Sequence, residues 1–216
     1  MTVLDWHGAR SDLSGIRLLD QAPESAGINL PKVRLYRLGR VRAEMAKRET
    51  DAVILSDSVN IRYATGTRNM QIFSSRNQPA RYLLLTASRS ILFEFTGCLH
   101  LADGFETVDE VRPSTTASFV AAGSAIAERE RAWAAEMADL ITSLVGPKAT
   151  VGVERLNAGS ALALSAAGLR VVDAQEPVEM ARSIKSDEEM KCVRASLRAT
   201  EIAVGKLREA IRPGLT

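Results

Sequence analysis

Apolar positions along the chain change period several times, and each change marks an element. Behind Pro31, the stretch Lys32 to Glu49 places Leu38, Val41 and Met45 at three- and four-residue spacing, which predicts a helix opening near Pro31. AVILS (52–56) is a short continuous apolar run, the pattern of a strand covered on both faces. RYLLLTA (81–87) and SILFEF (90–95), split by a short polar turn, predict two adjacent strands, and FETVDEV (105–111) predicts a fourth. From about Thr116 to Val145 one stripe of Ile126, Trp133, Met137, Leu140 and Leu144 predicts a long helix, stopped by Gly146 and Pro147. TVGVE (150–154) reads as a strand, NAGSALALSAAG (157–168) as a short helix ended by Gly168, and LRVVDA (169–174) as a strand. Strands alternating with helices predict an α/β layer fold, with helices on both faces of a sheet.

The two ends read differently. Residues 1–30 mix Gly, Pro, Ser and Asp with scattered apolar residues, the pattern of an extended arm. At the other end, Ser186 and Glu189 form a capping-box pair, and Asp187, Glu188 and Glu189 complement the positive end of a helix dipole. Met190, Val193, Leu197, Val204, Leu207 and Ile211 then make an apolar stripe that Pro213 and Gly214 end. The expected division is an arm over 1–30, a domain over 31–183 and a long linker helix over 184–216.

Composition narrows the partners. The chain has 216 residues and a formal net charge of +2, so no strong field selects nucleic acid or an acidic membrane. Seven basic residues decorate Lys32 to Glu49, but they spread around that helix instead of forming one face. No apolar run reaches the roughly 18 residues of a membrane span. The first residues lack the apolar region of a signal peptide. Two widely spaced cysteines, Cys98 and Cys192, suit a reducing cytoplasm.

Candidate chemistry is sparse. His7 lies in the arm. His100 follows Cys98 in FTGCLH, where a strand would put both on one face as a Cys-His dyad or metal pair. No third ligand sits nearby, and a buried Cys beside a strand-end His is the simpler reading. HExxH, GxSxG, phosphate-loop and dinucleotide fingerprints are absent. GTRNMQ has one glycine and no following Lys-Ser/Thr, so it is not a phosphate loop. The acidic runs DEEM and ERER are explained by capping and by solvated helix faces.

DAVILSDSVNIRYATGT (51–67) resembles the strand and NIRYLTG signature of the creatinase/prolidase N-terminal domain. EMARSIKSDEEM…IRPGLT resembles the segment joining that domain to the pita-bread catalytic domain of metallopeptidase family M24, through Arg182, Ile184, Lys185, Ser186, Glu189 and Arg212 to Thr216. The resemblance spans about Lys32 to Thr216. It implies a three-layer α/β/α sandwich with a mixed sheet, ribonuclease H-like, ending in the linker helix.

The resemblance also implies a division of labour. The family's two-metal site, with Mn, Co, Zn or Fe held by two Asp, one His and two Glu, lies in a catalytic domain beyond the RPGLT point. No catalytic or metal-binding residue is therefore expected in this chain, which is expected to be the N-terminal part of a larger cytoplasmic enzyme. In the family this domain is non-catalytic. It packs on its own C-terminal catalytic domain, mediates homodimerisation and narrows the active-site mouth around a dipeptide or other small-molecule substrate. The loop after NIRYATG commonly approaches substrate, which makes Arg68, Asn69, Gln71 and Arg76, with Asn77 beside them, the candidate entrance residues. Arg68 and Arg76 suit a substrate carboxylate through bidentate pairing. Asn60 is expected as a cap after the strand, and Tyr63 as a buried ring with its hydroxyl paired. NIRYAT…NMQ is closer to the branch containing dimethylsulfoniopropionate lyases, which keeps a non-peptidase substrate open. A stand-alone binding module and a small Cys98–His100 enzyme are the competing classes.

Overall fold

The structure, a computed structural model, describes residues 27–69 and 80–214. His7, Gln71, Arg76, Asn77, Leu215 and Thr216 lie outside the described residues. The chain divides into two compact units, Arg34–Ile184, and Met1–Val33 with Lys185–Thr216.

The larger unit is a sheet with helices on both faces. Helix α1 (Leu30–Lys47) leads to β1 (Ala52–Leu55) and α2 (Ser58–Thr65); strands β2 (Tyr82–Thr86) and β3 (Ser90–Glu94) follow as a hairpin. A 3-10 segment, Thr96–Ala102, precedes β4 (Glu110–Pro113), α3 (Phe119–Ala122) and α4 (Ile126–Val145). Then come β5 (Thr150–Val153), α5 (Ala158–Ala166), β6 (Arg170–Asp173) and α6 (Gln175–Ser183). The six strands lie in the order β4-β3-β2-β1-β5-β6. β2 is antiparallel to β1 and to β3, while the β3–β4, β1–β5 and β5–β6 pairs are parallel. All strands but β2 therefore point the same way, and the ends of β1, β3, β5 and β6 share one edge.

Every residue of β1, β2 and β3 is buried, because both faces are covered. On one face Ala52, Ile54, Tyr82, Leu84 and Phe93 pack with Trp133, Met137 and Ile141 of α4 and Leu164 of α5. Tyr82 stacks on Phe93 at 4.6 Å between ring centroids and meets Trp133 edge-on at 6.0 Å. Such pairs add roughly 0.5–1.5 kcal/mol each beyond area burial. On the other face Val53, Leu55, Leu83 and Leu85 pack with Leu38, Val41 and Met45 of α1, Ile61 and Ala64 of α2, and Val178 and Ala181 of α6. Gly152 in β5 is where a side chain would not fit: a Cβ there meets Val53 at 3.0 Å and Ala174 at 3.2 Å.

Several expectations are revised. The stripe expected from Thr116 starts at Phe119 and is interrupted at Gly123–Ala125, where Gly123 takes a φ of 54°. FETVDEV is a strand only from Glu110, since Phe105 and Val108 close turns onto Ala102 and Phe105. Cys98 and His100 lie in a 3-10 segment, not a strand. At about 120° per residue, positions two apart point to different sides, which removes the geometric basis of the dyad.

In the smaller unit, α7 (Asp187–Ala210) opens with the expected capping box: Glu189 N donates to Ser186 Oγ at 3.2 Å and Ser186 N to Glu189 Oε2 at 2.9 Å. Asn29 N also donates to Glu188 Oε2, at 3.0 Å. Lys191 and the Asn29 N–H hold the Glu188 carboxyl below its ordinary pKa. Val193, Leu197, Val204 and Leu207 of the stripe are exposed. Among the described residues no helix is long and apolar enough to cross a membrane.

Candidate entrance site

Local chemistry around α2 fixes where the segment carrying the expected entrance residues begins. Asp57 caps the helix, accepting from Val59 N at 2.7 Å and Asn60 N at 3.3 Å. Asn60 is therefore not the cap. It sits inside the first turn, and its side-chain amide donates to Glu154 at 2.5 Å. Tyr63 is buried as expected, its hydroxyl donating to Ala181 O at 2.9 Å. The helix stops at Gly66, whose φ of 81° is a left-handed C-cap. A Cβ there would run into the Arg34 side chain and lie 3.3 Å from Phe105. Arg34 is itself fixed, bidentate to Glu106 at 2.9 Å on both arms and over the Phe105 ring at 5.2 Å. That contact keeps the Glu106 carboxyl below its ordinary pKa.

Beyond Gly66 a buried polar network takes over. Thr65 Oγ1 donates to Ile61 O at 2.7 Å and shares a hydrogen bond with Thr67 Oγ1, also 2.7 Å. Thr107 Oγ1 donates to Thr65 O. Arg81 reaches Thr67 Oγ1 through Nη2 at 2.7 Å and Glu94 Oε2 through Nε at 2.5 Å. Asn69 Nδ2 donates to the other Glu94 oxygen at 2.6 Å, and Phe95 N does so at 3.3 Å. The Arg81 and Glu94 side chains are 1% and 0% exposed. One carboxylate thus ties residue 69 to residue 81 and sets the separation of the two ends of the intervening segment.

Of the expected entrance residues, Arg68 is exposed and Asn69 half-buried; Gln71 and Arg76 lie on the segment whose ends are tied.

The family model of the creatinase/prolidase N-terminal domain matches residues 37–184. The chain belongs to this family. Dimethylsulfoniopropionate lyase DddP of Roseobacter denitrificans is 25% identical over 208 residues, 96% of this chain and 43% of that protein. Its counterpart in Roseovarius nubinhibens is 28% identical over 200 residues, 89% of this chain and 45% of that protein. The chain spans less than half the length of these curated relatives. Among solved structures, an Xaa-Pro dipeptidase from Bacillus anthracis matches with a TM-score of 0.58 at 19% identity, covering 85% of this chain and 45% of that one. The prolidase from Pyrococcus horikoshii matches at 0.55 and 19%, covering 83% and 44%. These two show a shared fold.

For a creatinase/prolidase-type domain, the informative residues missed by sequence reading are Arg81, Glu94, Thr67 and Thr107. Arg81 and Glu94 each border an apolar strand, and a charge at the margin of such a run reads as solvated. The signal was the pairing of β2 with β3, which puts Tyr82 opposite Phe93 and so Arg81 beside Glu94.

Proposed function

We propose that this chain is the non-catalytic N-terminal domain of an M24-type metallohydrolase, where it shapes the active-site entrance and contributes to a homodimer. The observation that carries this reading is one buried carboxylate, Glu94, holding both Asn69 and Arg81. A buried ion pair is an expensive way to join two points of a chain, and this one fixes Asn69 and Arg81, which flank in sequence the segment carrying the expected entrance positions Gln71 and Arg76. Arg68 stands exposed at the start of that segment, and Gln71 and Arg76 follow. In this reading the divalent metal pair, Mn, Co, Zn or Fe, belongs to a C-terminal catalytic domain. In this reading no residue of this chain is a metal ligand. The setting is cytoplasmic and the substrate a dipeptide or another small molecule.

A second reading follows from the relatives: a parent enzyme of the dimethylsulfoniopropionate lyase type, with the same domain serving a non-peptide substrate. One experiment separates the two. The full reading frame is expressed and given an Xaa-Pro dipeptide with Mn²⁺ or Co²⁺, and separately dimethylsulfoniopropionate. Released proline supports the peptidase, released dimethyl sulfide the lyase. Turnover of either by residues 1–216 alone overturns the non-catalytic assignment. A monomer by light scattering overturns the dimer.

A further inference from the structure

A second feature of the same sheet edge plays no part in the entrance reading. β1, β5 and β6 are parallel neighbours, but the chain leaves them toward different faces. From β1 it enters α2, which packs with α1 and α6; from β5 it enters α5, which packs with α4. Where adjacent parallel strands feed helices on opposite faces, the connections part and a crevice opens outside the carboxyl ends. Here it encloses about 330 Å³, at the lower end of the roughly 300–1,000 Å³ typical of small-molecule sites. All its lining residues belong to Arg34–Ile184.

Its walls carry both signs of charge. Arg155 Nη1 pairs with Asp57 Oδ2 at 2.8 Å, and Arg182 Nη1 with Glu179 Oε1 at 2.8 Å while also donating to Asn60 Oδ1 at 3.0 Å. Two further carboxylates line the crevice, Glu154 and Asp173. Glu154 is 6% exposed and accepts from Ser56 N at 3.2 Å, Asp57 N at 3.0 Å and the Asn60 amide. Asp173 accepts from Gln175 N at 2.5 Å. Among the described residues neither has a cation as partner. Arg155, by contrast, is a donor that can be spared. Its side chain is 60% exposed, and an exposed pair of this kind is weak. Asp57 keeps its bonds to the α2 amides when the guanidinium swings away.

We propose that this crevice binds a small polar zwitterion of amino-acid size, its ammonium group against Glu154 and Asp173 and its carboxylate taken by Arg155. An anion alone meets the carboxylates without compensation, and a cation alone leaves the guanidinium unused. Burial pushes the Glu154 carboxyl above its ordinary pKa, and the neighbouring Asp57 charge adds to that. An ammonium beside it favours the ionised form.

The test uses three probes on one skeleton: L-glutamine, 4-aminobutanamide (the cation alone) and glutaramate (the anion alone). Each is titrated at constant ionic strength into the 216-residue chain, following backbone amide shifts. The expected result is saturable L-glutamine binding with shifts at Asp57–Asn60 and Glu154–Arg155, and at least tenfold weaker binding of the other two. Arg155→Gln removes the discrimination, bringing L-glutamine to the level of 4-aminobutanamide, and Asp173→Asn weakens both severalfold. Absence of saturable binding, equal binding of L-glutamine and 4-aminobutanamide by the unaltered chain, or an unchanged preference in Arg155→Gln overturns the proposal.

Discussion

Two buried glutamates sit at the same edge of one sheet and are handled in opposite ways. Glu94 ends β3 and is matched by a full positive charge, Arg81, with Asn69 and Phe95 N filling its remaining acceptor sites. Glu154 follows β5 and, among the described residues, is matched by neutral donors, two backbone N–H groups and the Asn60 amide. The first arrangement closes on itself and fixes the chain. The second leaves a desolvated carboxyl beside a crevice, with its compensation incomplete. The same residue type in the same layer thus serves architecture in one place and offers a binding chemistry in the other.

The largest way to break this contrast is to cut the first pair. Removing one partner of a buried ion pair strands a charge and costs about 3–5 kcal/mol. Arg81→Ala is therefore expected to lower the stability of the chain by that amount in urea unfolding. The double variant Arg81→Met, Glu94→Leu costs less than the sum of the single ones. A loss under about 1 kcal/mol for Arg81→Ala means that Glu94 is not the anchor described.

Gly66→Ala comes next. It places a side chain at a φ of 81° against a fixed Arg34. Alanine at such a position costs more than the roughly 0.4–1 kcal/mol it gains by stiffening the unfolded chain. A net loss of about 1–2 kcal/mol is expected, and a gain refutes the close approach.

A smaller effect sharpens the second glutamate. Because burial raises the Glu154 carboxyl, the folded domain holds its proton more tightly than the unfolded chain does. The stability it contributes is present below the unfolded value, about 4.3, and is lost as pH rises through the folded value. Glu44 has the opposite sign. Hydrogen bonds from Lys47 and then Arg48 lower its carboxyl, so its contribution is present above the unfolded value and lost as pH falls through the folded one. Across pH 2 to 7, the urea midpoint should lose less as pH rises above about 4.3 in Glu154→Gln than in the unaltered chain, and lose less as pH falls below about 4.3 in Glu44→Gln. Parallel curves for both variants and the unaltered chain dismiss the distinction.

Legibility in sequence followed the same divide. Strands β1, β2 and β3 announced themselves because continuous apolar runs have few other homes. The α7 capping box was visible because its residues are local, three positions apart. Helix α2 is not assigned by the pattern: SVNIRYAT is short, and its signal, the Asp57 cap, hides in a polar stretch, where Asn60 reads as the cap instead. α6 was missed because QEPVEMARS carries a proline in its first turn and buries only Pro177, Val178 and Ala181. Arg81, Glu94 and Glu154 were out of reach for another reason. Their partners are set by strand register and by crossings of up to 98 residues, which no local pattern encodes.

The smallest effect on stability is the most informative about function. Arg68 is exposed at the start of the segment that Glu94 anchors, and exposed substitutions away from caps and buried networks stay within about 0.5 kcal/mol. Arg68→Ala should therefore leave the urea midpoint of the chain unchanged. Under the proposed function, in which Arg68 meets a substrate carboxylate, Arg68→Ala in the parent protein should raise KM several-fold with kcat little altered, the mark of an interaction made equally in the ground and transition states. Arg81→Met, Glu94→Leu in the same protein should raise KM as well, by loosening the ends of the segment that presents it. If both leave KM untouched, the buried clamp serves stability alone, and the crevice beside Glu154 becomes the stronger candidate for ligand recognition in this domain.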